Sequence, residues 1–377
     1  AKAGVYHLRA YTDYMRNNPA SYFYRRAVPI YNPKVIGDGM LLGIDLGPGP
    51  KTGFTNAEQP FRLEISPEGG TCVGGVENTF IVSATDTLGQ PLTLEGAIID
   101  VAEEPVAPFS TSYGGRGLVK FVPAPGKAYW AQVDYQGVGY RVRLPKVQDK
   151  GVALHVNNLR DDAVFVSLAS KNSGAAAGAM LVGHVRGEVF LRLSEVPLNE
   201  EMAFSRNQIQ QGLATFSLLS ADGKLLAERS FFNDYAADHP VVKVDVPYAF
   251  FRPRQRVRLE LSWADSLLEQ GADLSVSVTD RTIVRRPIGE PSIASHLLLN
   301  TEVATGLDRV GGQVLALDQR QRFLLDLELA TAVGGRYDLP ALLLGLPPAS
   351  TSAPQNGQTI SGYVTVEDRP EERQMAE

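Results

Sequence analysis

The chain holds one cysteine, Cys72, in 377 residues. That scarcity excludes an internal disulfide framework and removes cysteine-held zinc sites and clusters. Histidine is also sparse: His7, His155, His184, His239 and His296 lie far apart, with no His-x-x-x-His or His-Glu-x-x-His pair to fix a metal from one element. His184 and Glu188 are four apart, but in a strand context such positions stand about 13 Å from each other, so the pair reads as a solvated face. Long apolar runs are missing. The longest, such as "PALLLGLPP", are broken by proline and fall short of the roughly 18 residues a spanning helix needs. Concentrated positive charge is missing too: the formal net charge is −6, and the 36 Lys and Arg are scattered. No basic face is there to offset a phosphate backbone, so nucleic acid is not an expected partner.

Catalytic patterns are equally thin. Neither Gly-x-Ser-x-Gly nor Ser-x-x-Lys occurs with supporting partners, so no activated serine is expected. "GGRG" at 114–117 and "GPGPKTG" at 47–53 lack the spacing of a phosphate loop and the helix that should follow one, so both read as turns. The pairs Glu103-Glu104 and Asp161-Asp162 fall short of the regular series of oxygen donors a calcium loop requires. Cys72, in "EGGTCVGG", reads as a small buried hydrophobe. The expectation is no enzyme, no cofactor and no metal.

What the chain does have is turn punctuation: 36 Gly and 24 Pro set among short alternating runs, with 44% hydrophobic residues. That texture favours strands over helices. Its length predicts two to four modules of about 100 residues each. The opening "AKAGVYHLRAYT" starts directly in an alternating pattern, with no initiator Met or signal segment, and reads as a piece of something longer. Residues 1–35 form a hairpin around Asn17-Asn18-Pro19, and 36–59 form a Gly- and Pro-rich linker. Residues 60–148 and 149–243 each carry the strand-and-turn spacing of a β-sandwich, the second with an Asp-Gly hairpin signal in "SADGK". Residues 244–290 alternate again, in "VRLELSW" and "DLSVSVTD".

The texture changes over 291–346, where helical spacing appears: Leu297, Leu298, Val303 and Leu307, then Phe323, Leu324, Leu327 and Leu329. Ser292 suits an N-cap, and Gly306 and Gly334 suit stops. Residues 347–377 are a linker followed by the first strand of a further domain or a tail. The fold class expected is therefore all-β, tandem β-sandwiches with a helical insert near the C-terminus.

Two segments stand out as surfaces. The hairpin concentrates Tyr11, Tyr14, Arg16, Tyr22, Tyr24 and Arg25, and the insert ends in Arg336-Tyr337. These are the candidate partner-binding residues. Tyrosines so placed stack on sugar rings or pair across strands and cap a module, and the second reading is favoured.

The order of motifs resembles a known family. "VYHLRAYTDYMRN" with "YFYRRAVPIYNP" is similar to the closing hairpin of the macroglobulin-like domain in large cell-envelope proteins of Bacteroidota. "ISPEGGTCVGGVENTFIVSATDTLGQPLTLEGAIID", "STSYGGRGLVKFVPAPGKAYWAQV", "LLAERSFF", "IASHLLLNTEV" and "DLELATAVGGRYDLPALL" follow in the same order, so the resemblance covers almost the whole chain. It departs at Val333-Gly334-Gly335-Arg336, where the family has a tryptophan, and at Cys72, where the family has an apolar residue. The resemblance implies macroglobulin/immunoglobulin-like sandwiches and chains that continue into carboxypeptidase-regulatory-like and TonB-receptor plug domains, while the thioester motif of the protease-trapping macroglobulins is absent from the sequence, which argues against covalent capture of proteases. It also implies a non-enzymatic scaffold or protein-binding component at the bacterial outer membrane, periplasmic or surface-exposed, with other envelope or outer-membrane proteins as partners. The alternatives are a carbohydrate- or nutrient-binding module of a TonB-dependent uptake system, with a glycan stacked on Tyr22, Tyr24, Trp130 or Trp263, and a protease inhibitor with Lys34–Gln59 as its bait.

Overall fold

A computed structural model describes residues 4–30, 60–87, 89–235, 243–246, 254–262, 292–303, 314, 317–332, 337–346, 352–353, 362–366 and 369–376. The 36–59 linker with its bait segment, Trp263, "DLSVSVTD", Gly306, Leu307, Gly334 and Arg336 lie outside them. Strands β1 (Gly4–Ala10) and β2 (Tyr24–Ile30) pair antiparallel, Gly4 opposite Ile30 and Ala10 opposite Tyr24.

Seven strands follow: β3 (Phe61–Pro67), β4 (Asn78–Asp86), β5 (Glu95–Ile99), β6 (Pro105–Ser110), β7 (Arg116–Phe121), β8 (Trp130–Tyr135) and β9 (Val138–Arg143). They make a three-stranded sheet, β3-β4-β7, and a four-stranded sheet, β6-β5-β8-β9. Alternation drives the layering. In β3 the side chains of Phe61, Leu63 and Ile65 are buried while Arg62 and Glu64 face water. Phe80, Val82, Ile98, Phe109, Val119 and Ala131 meet them between the sheets, with Cys72 among them. At the corner from β6 into β7 a Cβ on Gly117 would run into the Ser110 carbonyl oxygen, so only glycine fits.

The second sandwich repeats the plan with β10 (Ala153–Asn157), β11 (Ala163–Ala169), β12 (Met180–Val185), β13 (Glu188–Ser194), β14 (Glu201–Ser205), β15 (Gly212–Leu219) and β16 (Leu225–Asn233). Its sheets are β10-β11-β14 and β13-β12-β15-β16. The turn between β15 and β16 places Gly223 at φ 80°, the conformation that suits glycine. β17 (Lys243–Asp245) pairs with β18 (Glu260–Ser262), and β19 (Gly362–Val366) with β20 (Arg369–Ala376). The all-β class with a helical insert is what the sequence pattern predicts.

β15 breaks the alternation expected of a sandwich strand, since all eight of its residues are buried. The helical insert explains this by covering the outer face of its sheet. Ile293–Ser295 begins a helix capped by the Ser292 side chain, which continues as a π-helical turn over His296–Asn300. A longer helix follows over Gln319–Leu329, with a reciprocal capping box between Asp318 and Gln321. A short one at Leu339–Leu343 is capped by Asp338. Leu299, Val303, Leu317, Leu325 and Leu329 pack on Leu213 and Phe232, and Leu339 packs on Val182 and Leu219.

The insert also differs from its helical reading. Leu297, placed on the apolar face by spacing, is 53% exposed, while Leu299 is 1% exposed. The cause is the wider winding: Thr301 N–H donates to the His296 carbonyl five residues back, which rotates the buried stripe. In the Gln319–Leu329 helix Leu325 joins Leu327 and Leu329 inside, while Phe323 and Leu324 are half-buried.

A second correction concerns His184 and Glu188. They do not share a strand: Arg186 (φ 50°) and Gly187 (φ 82°) make a tight turn between β12 and β13, and His184 pairs with Val189. His184 is 6% exposed rather than solvated, and burial pushes its imidazole pKa down to about 4.

Candidate binding surface and the joint that presents it

The Asn-Asn-Pro turn folds into two 3-10 turns, Tyr14–Asn17 and Ala20–Tyr22, between β1 and β2. Thr12 Oγ1 accepts from Met15 N–H at 3.2 Å and Asn18 N–H donates to the Met15 carbonyl, so the tip is an ordered cap. Tyr11 stacks on Phe23 with ring centres 4.5 Å apart and planes 14° apart. The Arg9 guanidinium carbon lies 5.3 Å from the Tyr11 ring centre and 5.9 Å from that of Phe23. Tyr11 remains 46% and Tyr14 44% exposed. Arg16 is exposed beside Asp13 at 3.4 Å.

Tyr22 and Tyr24 are half-buried. Tyr24 stands edge-on to His296, with centroids 5.5 Å apart, which ties the hairpin to the insert. Arg25 lies opposite Arg9 in the register, its side chain outside the described set, as is Arg336 altogether. Tyr337 is placed against the second sandwich. Its hydroxyl donates to Glu302 Oε2 at 2.7 Å, its ring stands edge-on to His184, and Gly187 leaves room for it. The structure thus gathers Tyr11, Tyr14 and Arg16 at the hairpin tip, with Arg9 and Phe23 added, while Tyr337 serves internal packing. Trp130 is half-buried.

The two sandwiches are joined by charges that sequence reasoning did not single out. Glu68 sits in the Glu68–Gly70 turn of the first sandwich, pressed so close to the second that a Cβ on Gly69 would lie 3.0 Å from Leu154 Cβ. Its Oε1 accepts from Arg229 Nε on β16 at 2.7 Å and from Val156 N–H at 3.1 Å, and its Oε2 meets His155 Nδ1 at 2.5 Å. Arg229 turns its Nη2 to Asp326 Oδ2 of the Gln319–Leu329 helix at 2.7 Å. Burial alone would raise the Glu68 pKa, but the Arg229 charge and the His155 contact outweigh it and bring the carboxyl down to about 2. Asp326 is held above the usual carboxylate range because burial outweighs the pull of Arg229.

The same helix is fastened at both flanks. Arg322 donates to Asp161 Oδ1 at 2.7 Å and to Asp234 Oδ2 at 3.0 Å, and Arg116 of β7 donates to Glu328 Oε1 at 2.6 Å. Phe323 is edge-on to Tyr113, and Leu327 with Ala330 covers Ile81 on the first sandwich. Arg206, 1% exposed, bonds the Arg160 and Asn158 carbonyls and the side chains of Asn158 and Asn233, which anchors the loop that carries Asp161.

Arginine suits these places because its fork satisfies several buried acceptors at once. Sequence alone did not mark them: Arg229 stands between Glu228 and Ser230 in β16, and Arg322 and Asp326 share one helix face as solvated charges commonly do. Among the described residues no group of three His, Cys, Asp or Glu is placed to hold a metal, and no helix is long and apolar enough to cross a membrane.

These sheets define a protein of tandem antiparallel β-sandwiches joined through a helix. No family model and no curated protein matches the chain. Among solved structures it is similar to a biofilm-associated protein BSP domain, at 13% identity over 46% of this chain and 30% of that one, with a TM-score of 0.25. It is also similar to the C-terminal fragment of intimin solved with the intimin-binding domain of its translocated receptor (11% identity, 49% of this chain, 66% of that one, TM-score 0.19). Trypsin-activated alpha-2-macroglobulin from Escherichia coli matches at 12% identity over 69% of this chain and 21% of that one, TM-score 0.19. The chain spans less than two thirds of the length of each, and the fold class rests on its own sheets.

Proposed function

We propose that the chain is a non-enzymatic binding scaffold of the bacterial cell envelope, associated with the outer membrane and presenting its N-terminal hairpin to another protein. The observation that supports this reading most is the combination of a stiff joint and an exposed tip. Two sandwiches and a helix are locked by buried ion pairs at Glu68, Arg229 and Asp326, while Tyr11 and Tyr14 stay open to solvent on an ordered turn. Exposed tyrosines on a rigid support offer contact area at low conformational cost, as binding surfaces require. The envelope setting follows the family resemblance of the hairpin and strand motifs.

Affinity purification of the native protein from solubilised outer membrane tests it. One or more outer-membrane proteins should co-elute, and a Tyr11→Ala/Tyr14→Ala variant should lose them. Native protein that fractionates away from the envelope and elutes alone would overturn the proposal.

A further inference from the structure

The four-stranded sheet of the first sandwich runs β6-β5-β8-β9, so β6 and β9 form its rims. Pro105 and Pro108 remove donors from β6, a common protection of an edge. β9 carries no proline, and among the described residues no strand pairs with its outer side. β16 holds the same place in the second sandwich and is covered: Arg229 meets the Glu68 turn, and Phe232 packs against Leu325 and Leu329 of the long helix.

What β9 offers follows from its pairing. Leu144 N–H, just past the strand, donates to the Tyr129 carbonyl. Bonding alternates along an antiparallel pair, so Val142, Tyr140 and Val138 also turn their main chain toward β8, while Gly139, Arg141 and Arg143 turn theirs outward. The side chains divide as well. Tyr140 and Val142 pack half-buried against the core, with Tyr140 edge-on to Phe61 at 5.0 Å, and Val138 shares their face and is exposed. On the opposite face Arg141 bonds Glu103 at 2.7 Å and Gln132 at 3.0 Å, Arg143 is exposed, and Asp134 lies across from Gly139 at the turn.

We propose that β9 is a strand-addition site for an extended segment of a partner protein in which acidic and apolar residues alternate. Main-chain bonds to Gly139, Arg141 and Arg143 hold the segment, its carboxylates lie beside the two arginines, and its apolar side chains extend the core past Tyr140 and Val142. A second copy of this chain suits the edge less, because an antiparallel pair centred on Arg141 sets that residue against its own copy. The site belongs to the first sandwich, is separate from the hairpin, and goes beyond the scaffold reading.

Fluorescence anisotropy with the full chain and a labelled Glu-Val-Glu-Val-Glu-Val peptide tests it. A Lys-Val-Lys-Val-Lys-Val peptide should bind about tenfold or more weakly. Gly139→Pro removes an outward donor where a Cβ meets open space, and should weaken the acidic peptide about fivefold. Arg143→Glu should weaken it about tenfold and reverse the preference between the two peptides. Absent binding, equal binding of both peptides, or binding that neither substitution changes overturns the proposal.

Hydrogen exchange gives a second readout: the Gly139, Arg141 and Arg143 amides should slow about tenfold or more when the acidic peptide saturates the protein. Unchanged exchange at those amides refutes strand addition. Sedimentation that finds a wild-type dimer, broken by Gly139→Pro, would assign the edge to a second copy and refute the acidic segment. Tyr11→Ala/Tyr14→Ala should bind the peptide as wild type does. If the peptide binds as described but no envelope protein co-elutes, the site stands and the scaffold reading fails; if proteins co-elute through the hairpin and the peptide does not bind, the reverse holds.

Discussion

Glu68→Gln keeps the shape of the side chain and removes the charge that ties the first sandwich to Arg229 and His155. At neutral pH it should cost about 3–5 kcal/mol, the range for breaking one partner out of a buried ionic cluster. Its pH dependence is the sharper test. The folded pKa of Glu68 is depressed from 4.5 to about 2, and at about 1.4 kcal/mol per pH unit the gap is about 3 kcal/mol. Because the folded value lies below the unfolded one, this stability is fully present above pH 4.5 and is lost as pH falls through 2. By pH 3, about 2 kcal/mol of it is gone.

Asp326 titrates in the opposite sense: its raised folded pKa gives stability that is present in acid and lost as pH rises. Glu68 contributes to that rise and shares Arg229 with Asp326, so the difference between wild type and Glu68→Gln reports the coupled cluster, with Glu68 as the group removed. Urea unfolding at pH 7, 5 and 3 measures it. The difference should be largest at pH 7 and shrink by about 2 kcal/mol at pH 3. A difference that stays constant across that range would refute the claim that Arg229 and His155 hold Glu68 ionised.

Arg206→Met should lose about 3–5 kcal/mol in the same assay, since the Asn158 and Arg160 carbonyls and Asn233 lose their donor. Arg206→Lys should recover little of it, because an ammonium cannot span that set. Gly187→Ala puts a Cβ 2.8 Å from the Tyr337 ring at a φ of +82°. Thermal melting should show a loss of about 1–2 kcal/mol, and Tyr337→Ala in the same chain should relieve part of it. Cys72 is buried with its thiol pushed up to about 11 by desolvation, so a thiol reagent at pH 8 should leave the native protein unlabelled and take up one equivalent in urea.

Sandwich architecture was legible because period-two alternation is a local signal: Phe61, Leu63 and Ile65 face inward whatever lies beyond them. The Asp222-Gly223 turn was legible for the same reason. The β12–β13 hairpin was missed because its turn pairs Gly187 with Arg186, a residue seldom found at positive φ. In the insert, Leu297 was misplaced because helical spacing assumes 3.6 residues per turn and the chain winds wider there.

At the candidate site, composition pointed to the tyrosines of the hairpin but could not show that Tyr11 spends one face on Phe23. The joint was invisible for a different reason. Glu68, His155, Arg229 and Asp326 come from four distant segments, and each alone resembles an ordinary solvated charge. Only the fold makes them neighbours.

The helix that fastens the joint is synthesised after both sandwiches. Leu329 lies 96 positions after Asn233, where the second sandwich ends. At about 5–20 residues per second, a ribosome takes roughly 5–20 s to cover that distance. During that interval both sandwiches can already be folded while Arg229 still lacks Asp326. Nascent chains would therefore emerge as two loosely tethered beads and stiffen only once that helix has left the ribosome, a window in which a chaperone can hold the open form.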